Sequence, residues 1–270
     1  MSEVTNHIFD TIDRQNAHES AHTRRTLIKT TAAAMGSMGL LGFAASDATA
    51  QDMSANSVES IAAVAATAEV LATIVNTVGV EKLGPRMDAA TRRNVTAAAQ
   101  QEKNHYELLT SGAVGGKPVT KTIFVPNSIF ESPEKLLTAL VVGDQVFVNA
   151  YLLATTVFAR QGTLAGSKFA RYTAEIMAVE SVHRALALQS LGRLGNDRAY
   201  AKFGQREAVG GLPTTGQGGF YNIMDAVTVL KSAGFGFGEA NPAAPGTAYE
   251  YDAVSARTPS DPGVNTLTIS

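Results

Sequence analysis

A chain of 270 residues, 45% hydrophobic and 17% charged, has the material for a sizeable folded core and not the composition of a disordered protein. A net charge of −2 and a pI near 6.2, with Lys and Arg scattered beyond the N-terminus, leave no basic footprint, so no nucleic-acid partner is expected. The absence of Cys excludes disulfides, thiolate metal ligands, iron–sulfur clusters and a cysteine nucleophile, and leaves imidazole and carboxylate as the strong metal ligands, a set suited to iron, manganese or zinc.

Residues 1–50 read as an address. A polar leader ends in Thr23-Arg24-Arg25-Thr26-Leu27-Ile28-Lys29, followed by a weakly apolar, Ala- and Gly-rich run from Thr31 to Ala45 and by Ala48-Thr49-Ala50. This order resembles a twin-arginine export signal. The apolar run is too short and glycine-interrupted for a good transmembrane helix, and the small residues match a cleavage site. The mature chain is therefore expected to begin near Gln51, in the periplasm or outside the cell, with the twin-arginine translocation machinery as a partner and no stable membrane span.

Residues 51–233 read as one helical domain. Val58, Ile61, Ala65, Ala68, Ala72 and Val75 keep a helical period until Gly79, which is expected to end the run, and Glu69 lies in its middle. A second helix is expected from Asp88, a cap after Pro85, to Ser111, with Val95, Ala98, Glu102, His105 and Leu109 on one face. The connection that follows, GAVGGKPVTKTIFVPNSIFES, is longer than most links between packed helices and carries one β-like piece at Thr122 to Val125. Ser132-Pro133 opens a third helix, cap and first-turn proline, reaching about Ala159 with Asp144 as its central acid. A fourth runs from about Ala165 to Leu191, with Ile176, Val179, Glu180, His183, Ala187 and Ser190 assigned to one face. After a Gly-rich stretch at 204–219, a short fifth helix is expected from Phe220 to Ser232, and 234–270 reads as an extended or mobile tail.

Only two His lie beyond the leader, His105 and His183, and each follows a Glu by three residues. On a helix this spacing projects the pair side by side, about 4.5 Å apart along the axis, where they can grip one cation. The spacing alone is cheap, because Glu19 and His22 repeat it in the leader. Its specificity comes from company: Glu69, then Glu102 with His105, then Asp144, then Glu180 with His183, with the long link between the second and third helices. Carboxylates gathered in a helical core need compensation, since each buried charge costs several kcal/mol, and divalent cations supply it. Glu59, Glu81 and Glu107 read as solvated rim residues, Tyr106 and Tyr151 as aromatic core filler, with lining the site or carrying a radical as the alternative, Ser132 as an N-cap and Gly234-Phe-Gly-Phe-Gly238 as a turn.

That order of ligands resembles the ferritin-like superfamily of di-iron and di-manganese carboxylate proteins, over roughly residues 56 to 192. With the export leader, the sequence DQVFVNAYL and the C-terminal segment, it is similar to the bacterial ferritin-like proteins grouped with desiccation- and stress-related proteins. The resemblance implies an all-α, ferritin-like four-helix bundle with one long crossover. It implies two divalent ions, iron or manganese, with Glu69 and Asp144 as single carboxylates, Glu102 and Glu180 as bridging carboxylates, and His105 and His183 as terminal ligands. Asp144 departs from the Glu usual in the family, which leaves open a ligand acting through water or a single metal. The implied activity is oxidation of Fe(II) or handling of oxygen or peroxide, with a small oxidant or metal ion as partner. The alternative is a non-enzymatic stress protein whose metal only holds the helices together. Whether the chain forms a homo-oligomer stays open.

Overall fold

Four long helices carry the chain: α1 (Val58–Leu83), α2 (Ala89–Thr110), α3 (Pro133–Arg160) and α4 (Leu164–Ser190). They are seen in a computed structural model that describes residues 56–197, 220, 222–261 and 263–264; the leader and the Gly-rich 204–219 stretch lie outside the described residues. Each start is set by a short polar side chain. Ser57, Asp88, Ser132 and Thr163 accept hydrogen bonds from the backbone N–H groups of Ser60, Thr91, Lys135 and Gly166, satisfying donors that a helix start leaves open. The short links at 84–88 and 161–163 fold α1 back on α2 and α3 back on α4, and the two hairpins meet along α1–α3 and α2–α4.

α1 is hydrophobic almost all round because it is covered almost all round. Both α1 and α3 are long and apolar enough to cross a membrane by length and composition, but 94% of the apolar window of α1 is buried inside the protein, against 56% for α3. Gly79 does not end α1, contrary to the expectation. The helix runs on to Leu83 and stops at the turn holding Pro85. A Cβ at position 79 would come within 2.6 Å of Leu136 Cδ2 on α3, so this glycine lets two helices approach. On α4 the buried face is Thr173, Ile176, Glu180, His183, Arg184, Ala187 and Leu188, while Val179 and Ser190 are only half-buried.

The purely α expectation needs correction, because a small sheet is present. The crossover holds β1 (Thr122–Pro126), and the segment expected as an irregular tail supplies both of its neighbours, β2 (Gly236–Phe237) and β3 (Gly246–Glu250). Both pairings are antiparallel, with Ile123 opposite Phe237 on one side and Tyr249 on the other. The physical reason is backbone accounting: Ile123 and Val125 are fully buried against the helices, and a strand taken that deep must have its N–H and C=O groups paired. Between α4 and the rest of the sheet comes α5 (Met224–Ser232), which starts four residues later than expected, and after β3 the short α6 (Tyr251–Ser255). The chain beyond α6 is tied to the first hairpin by Thr258 on Thr77, Arg257 on Glu81 and Asp261 on Arg93. The stretch is thus a packed strap over α1 and α2.

Candidate metal centre

The inner turns of the four long helices bring Glu69 (α1), Glu102 and His105 (α2), Asp144 (α3), and Glu180 and His183 (α4) to one place. All six are buried, and Glu69, Glu102 and Glu180 have no exposure at all, which ionisable side chains tolerate only with partners. Glu69 and Asp144 are thereby placed in the centre, whereas Glu59, Glu81 and Glu107 are exposed as expected.

Two overlapping groups result. Glu69, Glu102, His105 and Glu180 form one, and Glu102, Asp144, Glu180 and His183 the other; within each, one ligand atom per residue lies within 4.8 Å of all the others. Glu102 and Glu180 belong to both, and their two oxygens divide between the imidazoles. Glu102 Oε2 lies 3.2 Å from His105 Nδ1 and Oε1 lies 3.0 Å from His183 Nδ1; Glu180 Oε1 lies 3.3 Å from His105 Nδ1 and Oε2 lies 3.5 Å from His183 Nδ1. Of the two imidazoles, Glu69 Oε2 makes its ion-pair contact with His105, at 3.6 Å.

Among these short distances, that between His105 Nδ1 and Glu102 Oε2 is a hydrogen bond, but most of the other ligand atoms have none. Glu69 Oε2, Glu102 Oε1, both oxygens of Glu180, Asp144 Oδ2 and His183 Nδ1 are buried without a hydrogen-bond partner among the described residues. Each such atom costs about 1–3 kcal/mol, more when charged. Lone pairs aimed at a shared centre rather than at one another are what cation ligands present, so the donor set fits divalent metal ions of oxygen and nitrogen preference. Charge agrees: four carboxylates with two neutral imidazoles balance two divalent cations.

Without a cation, protons take that part. Burial lifts the Glu69 carboxyl well above its ordinary range, with neighbouring Glu102 adding to the effect. Burial likewise lifts Asp144; His183 pulls it back in part, and Glu180 and Glu102 push it up. For Glu102, burial pushes upward, but His183 and His105 prevail and hold it well below the carboxylate range. Burial would strip protons from His105 and His183, yet the facing carboxylates, Glu69 first for His105 and Glu102 for His183, raise both well above the usual imidazole value. The core is therefore a store of displaceable protons.

Two residues outside the expected set hold ligands in place. Tyr151 is filler no longer: its buried hydroxyl donates to Glu69 Oε1, fixing that carboxylate. Gln101 Oε1 lies 2.8 Å from His183 Nε2, so Nε2–H donates outward and Nδ1 faces the centre, its lone pair free for a cation once the ring has given up its second proton. Neither role was legible, because a Gln beside a Gln and a Tyr on an apolar helix carry no distinguishing pattern. Tyr106, by contrast, is core packing against Tyr251, ring centroids 4.3 Å apart. Gln101→Leu is expected to weaken metal binding by about 10- to 100-fold while leaving helix content unchanged, as measured by titration against a competing chelator.

Comparison of the chain with protein-family models, curated proteins and solved structures finds no match. The reading of the site therefore rests on its own geometry.

Proposed function

We propose that this protein binds two divalent metal ions, iron or manganese, within a ferritin-like four-helix bundle formed by α1 to α4. One observation carries the reading: two four-ligand groups share Glu102 and Glu180, and most of their buried ligand atoms have no hydrogen-bond partner among the described residues. Glu69 and His105 would complete one position, Asp144 and His183 the other. When bound, such a pair of ions supplies redox chemistry toward a small oxidant such as oxygen or peroxide, or toward Fe(II). The chain's own contribution is to hold ligands and manage protons. Gln101 fixes the ring of His183, Tyr151 fixes Glu69, and Glu69, Asp144 and the imidazoles release protons as cations enter. Apolar helices around the centre exclude bulk water.

A second reading has an observation in its favour. Two cavities that touch the centre have volumes of only about 20 Å³ each, which suits a metal that holds the helices together without turnover, as in a stress or desiccation protein. The leader is proposed to be a twin-arginine signal, carrying the chain out of the cytoplasm already folded around its metal. One experiment addresses all three. The exported protein is purified, its metal counted, and its oxidase, peroxidase and ferroxidase turnover measured, alongside a variant carrying Arg24→Lys and Arg25→Lys. Metal with turnover supports the redox reading, and metal without turnover the structural one. Protein that carries no metal removes both, and an Arg variant exported as well as the parent removes the twin-arginine assignment.

A further inference from the structure

The two ligand groups differ in what surrounds their unshared acids. On the Glu69 side, Tyr151 occupies the second carboxylate oxygen and is itself buried. On the Asp144 side, two cavities converge. One is lined by Asn76, Asn94, Ser190 and His183 among others, and the second, between α1 and α3, by Val75, Asn76, Gly143 and Phe235 among others. Each has a volume of about 20 Å³, enough for about one ordered water. Both touch Asp144, Asn76 and Leu140, and neither touches Glu69 or His105.

Reach differs as well. Glu69 comes within 3.6 Å of its imidazole, whereas Asp144, one methylene shorter, makes no ion-pair contact with His183 among the described residues and leaves Oδ2 unpartnered. Asn76 stands next to that gap. It is buried, its side-chain N–H₂ donates to the Ala72 carbonyl at 3.0 Å, and its Oδ1 has no partner among the described residues.

We infer that the two metal positions are unequal: the ion at Asp144 and His183 enters and leaves through the cavities past Asn76, while the ion at Glu69 and His105 is held by a carboxylate that Tyr151 pins. The inference rests on the metal reading above. A hydrated cation sheds its waters one at a time, so a path into a dry core needs oxygen ligands along it, each weak enough to release the ion onward. The neutral carbonyl of Asn76 is such a ligand, one step outside Asp144. The hydroxyl of Ser190 and the amide of Asn94 line the same cavity. The short acid leaves space beside the ion for a water, and ligand exchange proceeds through that water. The Glu69 position has its carboxylate pinned by Tyr151, and neither of the two cavities reaches it.

The test is release of Mn(II) from the loaded full-length protein into excess EDTA, followed by the electron paramagnetic resonance of the ions that remain. Two phases of equal amplitude are expected. Asp144→Ala should abolish the fast phase and keep one slowly released ion. Asn76→Leu should slow the fast phase several-fold and leave the slow one unchanged, and Leu140→Ala, which widens both cavities, should quicken the fast phase. Release of both ions in one phase, a fast phase that survives Asp144→Ala but not Glu69→Ala, or a fast phase indifferent to both Asn76→Leu and Leu140→Ala would overturn the inference and leave the metal reading standing. A protein that takes up no Mn(II) would overturn both.

Discussion

Saturating Mn(II) should raise the melting temperature of the metal-free protein by about 10–20 °C, and the double variant His105→Ala with His183→Ala should lose that gain entirely. The size follows from linkage: an ion present at about 100 times its dissociation constant stabilises the folded state by about 2.7 kcal/mol, and two sites by about 5. For a domain of this size each kcal/mol moves the midpoint by roughly 2–4 °C. The loss in the variant follows from position. Each imidazole belongs to one ligand group only, so removing both leaves four carboxylates without a neutral nitrogen donor on either side. The single variants separate the positions: His105→Ala should keep one ion and His183→Ala the other. Differential scanning calorimetry with metal analysis of the same samples measures both quantities. A variant that keeps two ions and the full gain would show that the cluster is not their site.

The second large effect is in pH. In the metal-free protein Glu69, Asp144, His105 and His183 all have raised values, so the folded chain retains protons that the unfolded chain has lost. The penalty from Glu69 and Asp144 begins as pH passes their unfolded values of 4.5 and 3.8 and is complete above their raised ones. The gain from the imidazoles is fully present below 6.5 and is lost as pH rises through their raised values. Glu102 runs the other way; its stabilisation is complete above 4.5 and is lost only as pH falls through its lowered value. Above about pH 5, until the raised values of these groups are passed, the folded state therefore binds the more protons, and metal-free stability should decline. Cations displace those same protons, so metal affinity should rise over that range. The gap in melting temperature between loaded and metal-free protein should widen with pH, and a gap that is constant or narrows would exclude proton displacement as the basis of binding.

The helices were legible because their signals are local. Asp88, Ser132 and the period of small and apolar residues set α2 and α3 to within a residue or two, and the three-residue spacing of Glu102–His105 and Glu180–His183 located both paired ligands. Glu69 and Asp144 could be chosen over Glu59 or Glu107 only by their order along the chain, because nothing local distinguishes a central acid from a rim acid. Gly79 misled because close helix packing and helix termination favour the same residue. The sheet was half visible: Thr122 to Val125 looked like a strand, but its partners lie more than a hundred residues away in a stretch rich in Pro and Gly, and no local pattern announces a pairing at that distance. Gln101 and Tyr151 act through ring orientation and a single hydroxyl, which only three-dimensional contact reveals.

Anomalous diffraction at the manganese absorption edge, from crystals of the Mn(II)-loaded protein, tests the central claim most directly. Two peaks are expected between the four long helices, both beside Glu102 and Glu180, one next to Glu69 and His105 and the other next to Asp144 and His183. Peaks confined to the protein surface, or a centre empty of anomalous signal at full Mn(II) occupancy elsewhere, would contradict it.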